Sequence, residues 1–140
     1  MKLRVKRIEP SARLPQYSHE GDAGLDLFSS INCVLEAGEV KSLPTGIQVA
    51  IPPGFVGLIW DKSGLSLHGV HRLAGVIDSG YRGEVKVVMV NLAREPFHIK
   101  EGMKIAQMLI QPISEVEIEE VERLEDTDRG ENGFGSTGKY

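Results

Sequence analysis

Period-two alternation of apolar and polar residues, interrupted by glycine and proline at intervals of roughly ten residues, confines this chain to short strands joined by tight turns. Met1, Leu3 and Val5 alternate with Lys2, Arg4 and Lys6; Ile47, Val49 and Ile51 with Gln48 and Ala50; Val116 and Ile118 with Glu115, Glu117 and Glu119. Each series predicts a half-buried strand. The runs 55–60, 85–90 and 105–110 are almost wholly apolar, as in strands covered on both faces. Turn signals separate them at Ala37-Gly38-Glu39, Pro44-Thr45-Gly46, Pro52-Pro53-Gly54, Asp78-Ser79-Gly80 and Lys100-Glu101-Gly102. Only 63–68 suits a turn or two of helix. The pattern predicts an all-β sandwich or barrel in one domain of 140 residues. On the run 85–90, Val85, Val87 and Met89 face one side and Val88 and Val90 the other; one set is expected to fill the core and the other to meet a neighbouring chain, which makes a homo-oligomer the expectation.

Charge and cysteine content exclude several classes. A net charge of -4 is wrong for wrapping a nucleic-acid backbone. The lone Cys33 forms no internal disulfide, no apolar stretch is long enough to span a bilayer, and the basic start lacks the apolar segment of a signal peptide. A cytoplasmic protein with no membrane or nucleic-acid partner is the expectation. Eight carboxylates between Glu115 and Asp128 face only Arg123, and read as a solvated strand face and linker.

Five polar segments carry the chemistry. In 22–27, small residues allow close backbone approach, and Asp26 lies between Leu25 and Leu27, where a carboxylate needs a partner. Residues 61–66 set Lys62, the Ser63 hydroxyl and free amides at a strand end, where phosphate oxygens can be held. Residues 75–84 read as a hairpin with Asp78 and Tyr81 near its turn. Gln107 is a lone amide in an apolar strand. In the tail 129–140, four glycines free backbone N–H groups, Arg129 offers a planar fork, Ser136 and Thr137 add hydroxyls, and Phe134 is the one apolar ring. A ring beside phosphate donors suggests a nucleotide. Singly, each segment has an ordinary structural role: a capped turn for Asp26, Ser63 or Asp78, a strand hydrogen bond for Gln107, a frayed terminus for the tail.

Taken in order, Ala-Gly-Leu-Asp-Leu, Lys-Ser-Gly-Leu, Gly-Val-Ile-Asp with Tyr-Arg-Gly, Lys-Ile-Ala-Gln and Arg-Gly with Gly-Phe-Gly-Ser-Thr-Gly resemble the five motifs of the trimeric dUTP pyrophosphatases, across residues 23–138. The resemblance implies a jelly-roll-like β barrel of the β-clip type, assembled as a homotrimer with shared active sites, with residues 1–128 forming the barrel and 129–140 a flexible tail over the nucleotide. It implies hydrolysis of dUTP to dUMP and pyrophosphate, with Mg²⁺ held mainly by the phosphates and Asp26 acting on it through water. Asp78 would be the general base for water attacking the α-phosphorus. Lys62, Ser63, Gly64 and Gln107 would hold phosphates, and Gly75, Val76 and Ile77 would read uracil with their backbone. Tyr81 would pack under the deoxyribose, and Arg129, Ser136, Thr137, Gly135 and the other tail amides would close over the β and γ phosphates while Phe134 stacks on the base.

The chain departs from that pattern at Asp61-Lys62, where Pro-Arg is usual; Lys keeps the charge without the fork, and Asp61 is expected to neutralise it in part. Gly80 replaces a common acidic residue, Asn132 a glycine, and Arg72 falls where some relatives place an amide near the base. Gly80 also brings in the related dCTP deaminases, but their catalytic Glu would fall at about Val88. A nucleotide-responsive binder without turnover, or a structural jelly-roll subunit, leaves Asp78 or all five motifs without a purpose.

Overall fold

The computed structural model describes residues 1–140. Its strands, in chain order, are β1 (Arg4–Arg7), β2 (Leu25–Phe28), β3 (Cys33–Leu35), β4 (Val40–Ala50), β5 (Phe55–Trp60), β6 (Val70–Arg72), β7 (Val76–Ile77), β8 (Glu84–Asn91), β9 (Phe97–Ile99) and β10 (Lys104–Pro112), with one short helix, α1 (Ser63–Leu67), between β5 and β6. Two four-stranded sheets, β1-β4-β8-β6 and β2-β10-β5-β7, and a β3-β9 ribbon are antiparallel throughout. Leu27, Leu35, Leu43, Val85, Val87 and Met108, all fully buried, belong to one core shared by the sheets. No helix is long and apolar enough to cross a membrane.

The three apolar runs become β5, β8 and β10, and the expected turns after β3 and β4 and before β10 contain Gly38, Gly54 and Gly102 at φ of +75°, +80° and +79°. Four expectations change. The Pro44-Thr45-Gly46 signal marks a bulge inside β4, where the register with β8 shifts between Pro44 and Gln48. Gly46, at φ +69°, gives its N–H to Glu84 Oε1 at 2.9 Å, and a Cβ there would lie 2.8 Å from Ala12 Cβ. The 75–84 segment is not a hairpin: β7 pairs with β5 in one sheet and β8 with β4 and β6 in the other, so the turn at Asp78 passes between sheets. Finally, Glu115–Glu119 forms no strand, and Val116 and Ile118 are 75% and 87% exposed, because a single chain offers that segment no partner. Of the two sets on the run 85–90, it is Val85, Val87 and Met89 that fill the core, but Val90 is buried within its own chain too, which leaves Val88 alone half-buried on the other face.

Candidate active site

Sheet geometry separates the chemistry into two places. At β7, Gly75, Val76 and Ile77 line a cavity of about 260 Å³ together with Asp78, Tyr81, Glu84 and Lys86. The wall is anchored, since the Gly75 carbonyl accepts the Ile59 N–H at 3.0 Å. Tyr81 donates its hydroxyl to the Glu84 carbonyl at 2.9 Å and lies so closely over Gly83 that a Cβ there would come within 2.3 Å of the hydroxyl oxygen. Arg82 Nη1 donates to the Ser79 and Tyr81 carbonyls, both at 2.8 Å, which holds the turn carrying Asp78 in shape.

The second place is an open cleft lined by Asp61, Ser63, Ser66, Leu67 and Gln107, where β5 ends and α1 begins. Gln107 Nε2 donates to the Asp61 carbonyl at 2.8 Å, and its amide occupies the space a side chain at Gly24 would fill, 2.2 Å from an ideal Cβ. Gly24 is therefore glycine because Gln107 lies on it. Asp26, opposite Gln107 in the β2–β10 register, is only 2% exposed. Its carboxylate meets Lys62 Nζ at 2.6 Å, Lys104 Nζ at 2.6 Å and the Ser18 hydroxyl at 2.7 Å.

Two ammonium groups on one carboxylate leave this corner with net positive charge, as an anion site requires. Burial alone would raise the Asp26 pKa, but the hydrogen bonds from Lys104, Lys62 and Ser18 outweigh it and hold the group at about 2 instead of 3.8. A carboxylate depressed in the folded state contributes its full stability above the unfolded value and loses it as pH falls through the folded one. The window here runs from about 3.8 down to about 2, and the contribution is about 2 kcal/mol. Urea unfolding should therefore show the wild type losing about 2 kcal/mol more than Asp26→Asn between pH 6 and pH 2. Parallel pH profiles for the two proteins would refute the assignment.

Asp61 does not neutralise Lys62, contrary to expectation; it accepts the Arg72 N–H at 2.8 Å and faces His71 Nδ1 at 2.9 Å, while Lys62 is engaged by Asp26. Arg72 stacks 4.9 Å from the centroid of the Trp60 ring and is not among the residues of the β7 cavity. The His68 ring packs against Phe97 at 6.3 Å, His71 faces Asp61, and no three His, Cys, Asp or Glu side chains gather into a metal cluster. In the tail, every hydrogen bond of residues 129–140 reaches no more than three positions along the chain, and the Phe134 ring is fully exposed. Arg129, Gly135, Ser136 and Thr137 are thus brought to neither cavity nor cleft within this chain. Sequence reasoning missed Ser18, Lys104, Glu84 and Lys86.

A small β barrel with an apolar slot, a separate lysine–hydroxyl–amide cleft and a free glycine-rich tail has the features of a protein that grips a nucleoside at one end and its phosphates at the other. The chain belongs to the dUTPase family, whose model matches residues 10–138. It is 56% identical over 99% of both chains to a deoxyuridine 5'-triphosphate nucleotidohydrolase of Clostridium kluyveri, and 49% identical, over 97% of this chain and 96% of the relative, to one of Clostridium acetobutylicum. Among solved structures, the dUTPase of Staphylococcus bacteriophage 80alpha with dUpNHpp aligns at a TM-score of 0.93 with 33% identity over 99% of each chain. A mutant dUTPase from phage phi11 of S. aureus, described as revealing the coordination of a structural Mg(II) ion, aligns at 0.83 with 32% identity over 88% of this chain and 98% of its own.

Proposed function

We propose that the chain hydrolyses dUTP to dUMP and pyrophosphate, with the nucleoside in the β7 cavity and the phosphates against the cleft. The observation that carries this reading is the placement of Asp78 in a cavity lined by residues 75–77 and Tyr81. A fixed N–H and carbonyl distinguish uracil from cytosine, because the wrong base leaves buried polar groups unpaired. Asp78 takes the proton of a water that attacks the α-phosphorus in line, and Ser63, Gly64, Lys62 and Gln107 hold the phosphates as pyrophosphate leaves.

The residues present fit a metal carried in by the nucleotide rather than one caged by protein. Asp26, whose oxygens are taken here by Lys62, Lys104 and Ser18, would reach a triphosphate-bound Mg²⁺ through water only once a lysine turned from it to the phosphates; the ion itself would be held by the triphosphate and would neutralise phosphate charge.

A complete site requires more than one copy. Asp78 follows Ile77, which pairs with Gly57, whereas Gln107 pairs with Trp60 on the other side of β5. Four residues along a strand and two strand spacings put the two Cα atoms roughly 16 Å apart. One α-phosphate cannot meet both in the same chain, so a cavity from one copy faces the cleft of another and the tail closes over both. The exposed apolar arm at Val116 and Ile118 supports such an assembly, and a homotrimer satisfies it.

Deoxy- and ribonucleoside triphosphates with Mg²⁺, assayed for pyrophosphate and for ammonia, test the reading: dUTP alone should yield pyrophosphate, and none should yield ammonia. The same panel with Gly83→Ala tests the sugar contact. A methyl at 83 pushes the Tyr81 ring off its seat, and dUTP-over-UTP discrimination should fall about tenfold. Unchanged discrimination would remove Tyr81 from the sugar site.

A further inference from the structure

Ser63 and Gly64 must be held still if they are to hold phosphate, yet little in their own helix does so. None of the five residues of α1 is fully buried, and its N-cap, Lys62, makes no capping hydrogen bond with its side chain. The fixed point is one residue earlier. Asp61 Oδ1 accepts the Arg72 N–H at 2.8 Å and meets His71 Nδ1 at 2.9 Å, while Oδ2 lies 3.4 Å from Arg72 Nε. The Arg72 guanidinium stacks on Trp60, immediately before Asp61. With its own carbonyl, Asp61 accepts Gln107 Nε2 at 2.8 Å. One residue thus ties the β5–α1 junction to β6 by its side chain and to β10 by its main chain.

We propose that Asp61 is a positioning residue for phosphate binding, a role that rests on the reading of the cleft as the phosphate site. Its carboxylate fixes the junction against β6, so that Ser63, Gly64 and the Gln107 amide face the phosphate chain in a set arrangement. Without it, the Arg72 N–H and the His71 ring lose their shared acceptor and the junction moves. The nucleoside cavity includes neither Asp61, His71 nor Arg72, so the effect falls on the phosphate end alone.

The test uses the full chain in its native assembly, with inorganic pyrophosphate and Mg²⁺ as one probe, by calorimetry, and 2′-deoxyuridine as the other, by NMR. Asp61→Ala should bind pyrophosphate about tenfold more weakly and lose a similar factor in kcat/KM for dUTP, while deoxyuridine binding changes by less than about twofold. Asp61→Asn, which keeps an oxygen for the Arg72 N–H, should fall between. Should Asp61→Ala fail to fold, Asp61→Asn and His71→Ala carry the same comparison. Equal pyrophosphate affinity in variant and wild type would overturn the role, as would parallel loss of both ligands. A wild-type protein that neither binds pyrophosphate nor cleaves dUTP overturns the functional reading, and the positioning role with it.

Discussion

Asp78→Asn should abolish most turnover while leaving substrate binding nearly intact. The substitution preserves shape and removes the ability to accept a proton, and loss of a general base typically costs about 10² to 10⁴ in rate. The turn should survive it, because Arg82 grips the Ser79 and Tyr81 carbonyls and the Tyr81 N–H donates to the main-chain carbonyl of residue 78, contacts independent of the Asp78 side chain. A fall in kcat of that size, with the Kd of a non-hydrolysable dUTP analogue within a few-fold of wild type, is the expected pair of results. Near-normal kcat would take the base role away from Asp78. A large loss of analogue affinity would instead make Asp78 a binding residue, with the rate loss following from misplacement.

The sequence made the strands and the polar segments legible because both depend on local pattern. Alternation located β1 and the second half of β4, and near-continuous apolar runs located β5, β8 and β10, whose inward residues form the core. Local pattern does not report which sheet a strand joins, so 75–84 reads as a hairpin although β7 and β8 belong to different sheets. Nor does it separate a bulge from a turn: Pro44-Thr45-Gly46 has turn chemistry, yet β4 continues through it because Glu84 accepts the Gly46 N–H and the Thr45 hydroxyl donates to the Val85 carbonyl.

The same limit explains the residues missed at the site. Strict alternation would aim Lys104 with the buried Ala106 and Met108, but a register shift between 104 and 106 redirects it to Asp26. Ser18 lies in a loop with no motif of its own and reaches Asp26 only through the fold. The glycines were legible as small residues, not as seats. That Gly24 lies beneath Gln107 and Gly83 beneath Tyr81 required three dimensions. Asp61 is the clearest case, because its partners His71 and Arg72 are brought to it by β6, across α1 and the turn that follows.

A chain ending at Asp128 should fold and assemble as the full chain does, yet be nearly inactive. The core cluster lies entirely between Ala12 and Met108, and no hydrogen bond ties residues 129–140 to the barrel, so thermal melting should change little. Catalysis is another matter. Gly130, Gly135 and Gly138 hold φ of +52°, +89° and +85°, a region that favours glycine, and Phe134, itself at φ +51°, has a wholly exposed ring with nothing in its own chain to cover it. The tail's donors are held only by local turns and its ring by nothing, so on the proposed reading a triphosphate and its base would supply their long-range partners. On the proposed reading, their closure would exclude water from the attacked phosphorus and set Arg129, Ser136 and Thr137 on the leaving phosphates. Removing several such donors should lower kcat/KM by about 10²-fold or more. Phe134→Ala alone should fall between that variant and wild type, since it removes stacking and keeps the phosphate donors. Full activity in the truncated chain, measured as pyrophosphate release at saturating dUTP and Mg²⁺, would mean that the cavity and cleft suffice and that the tail takes no part in the chemistry.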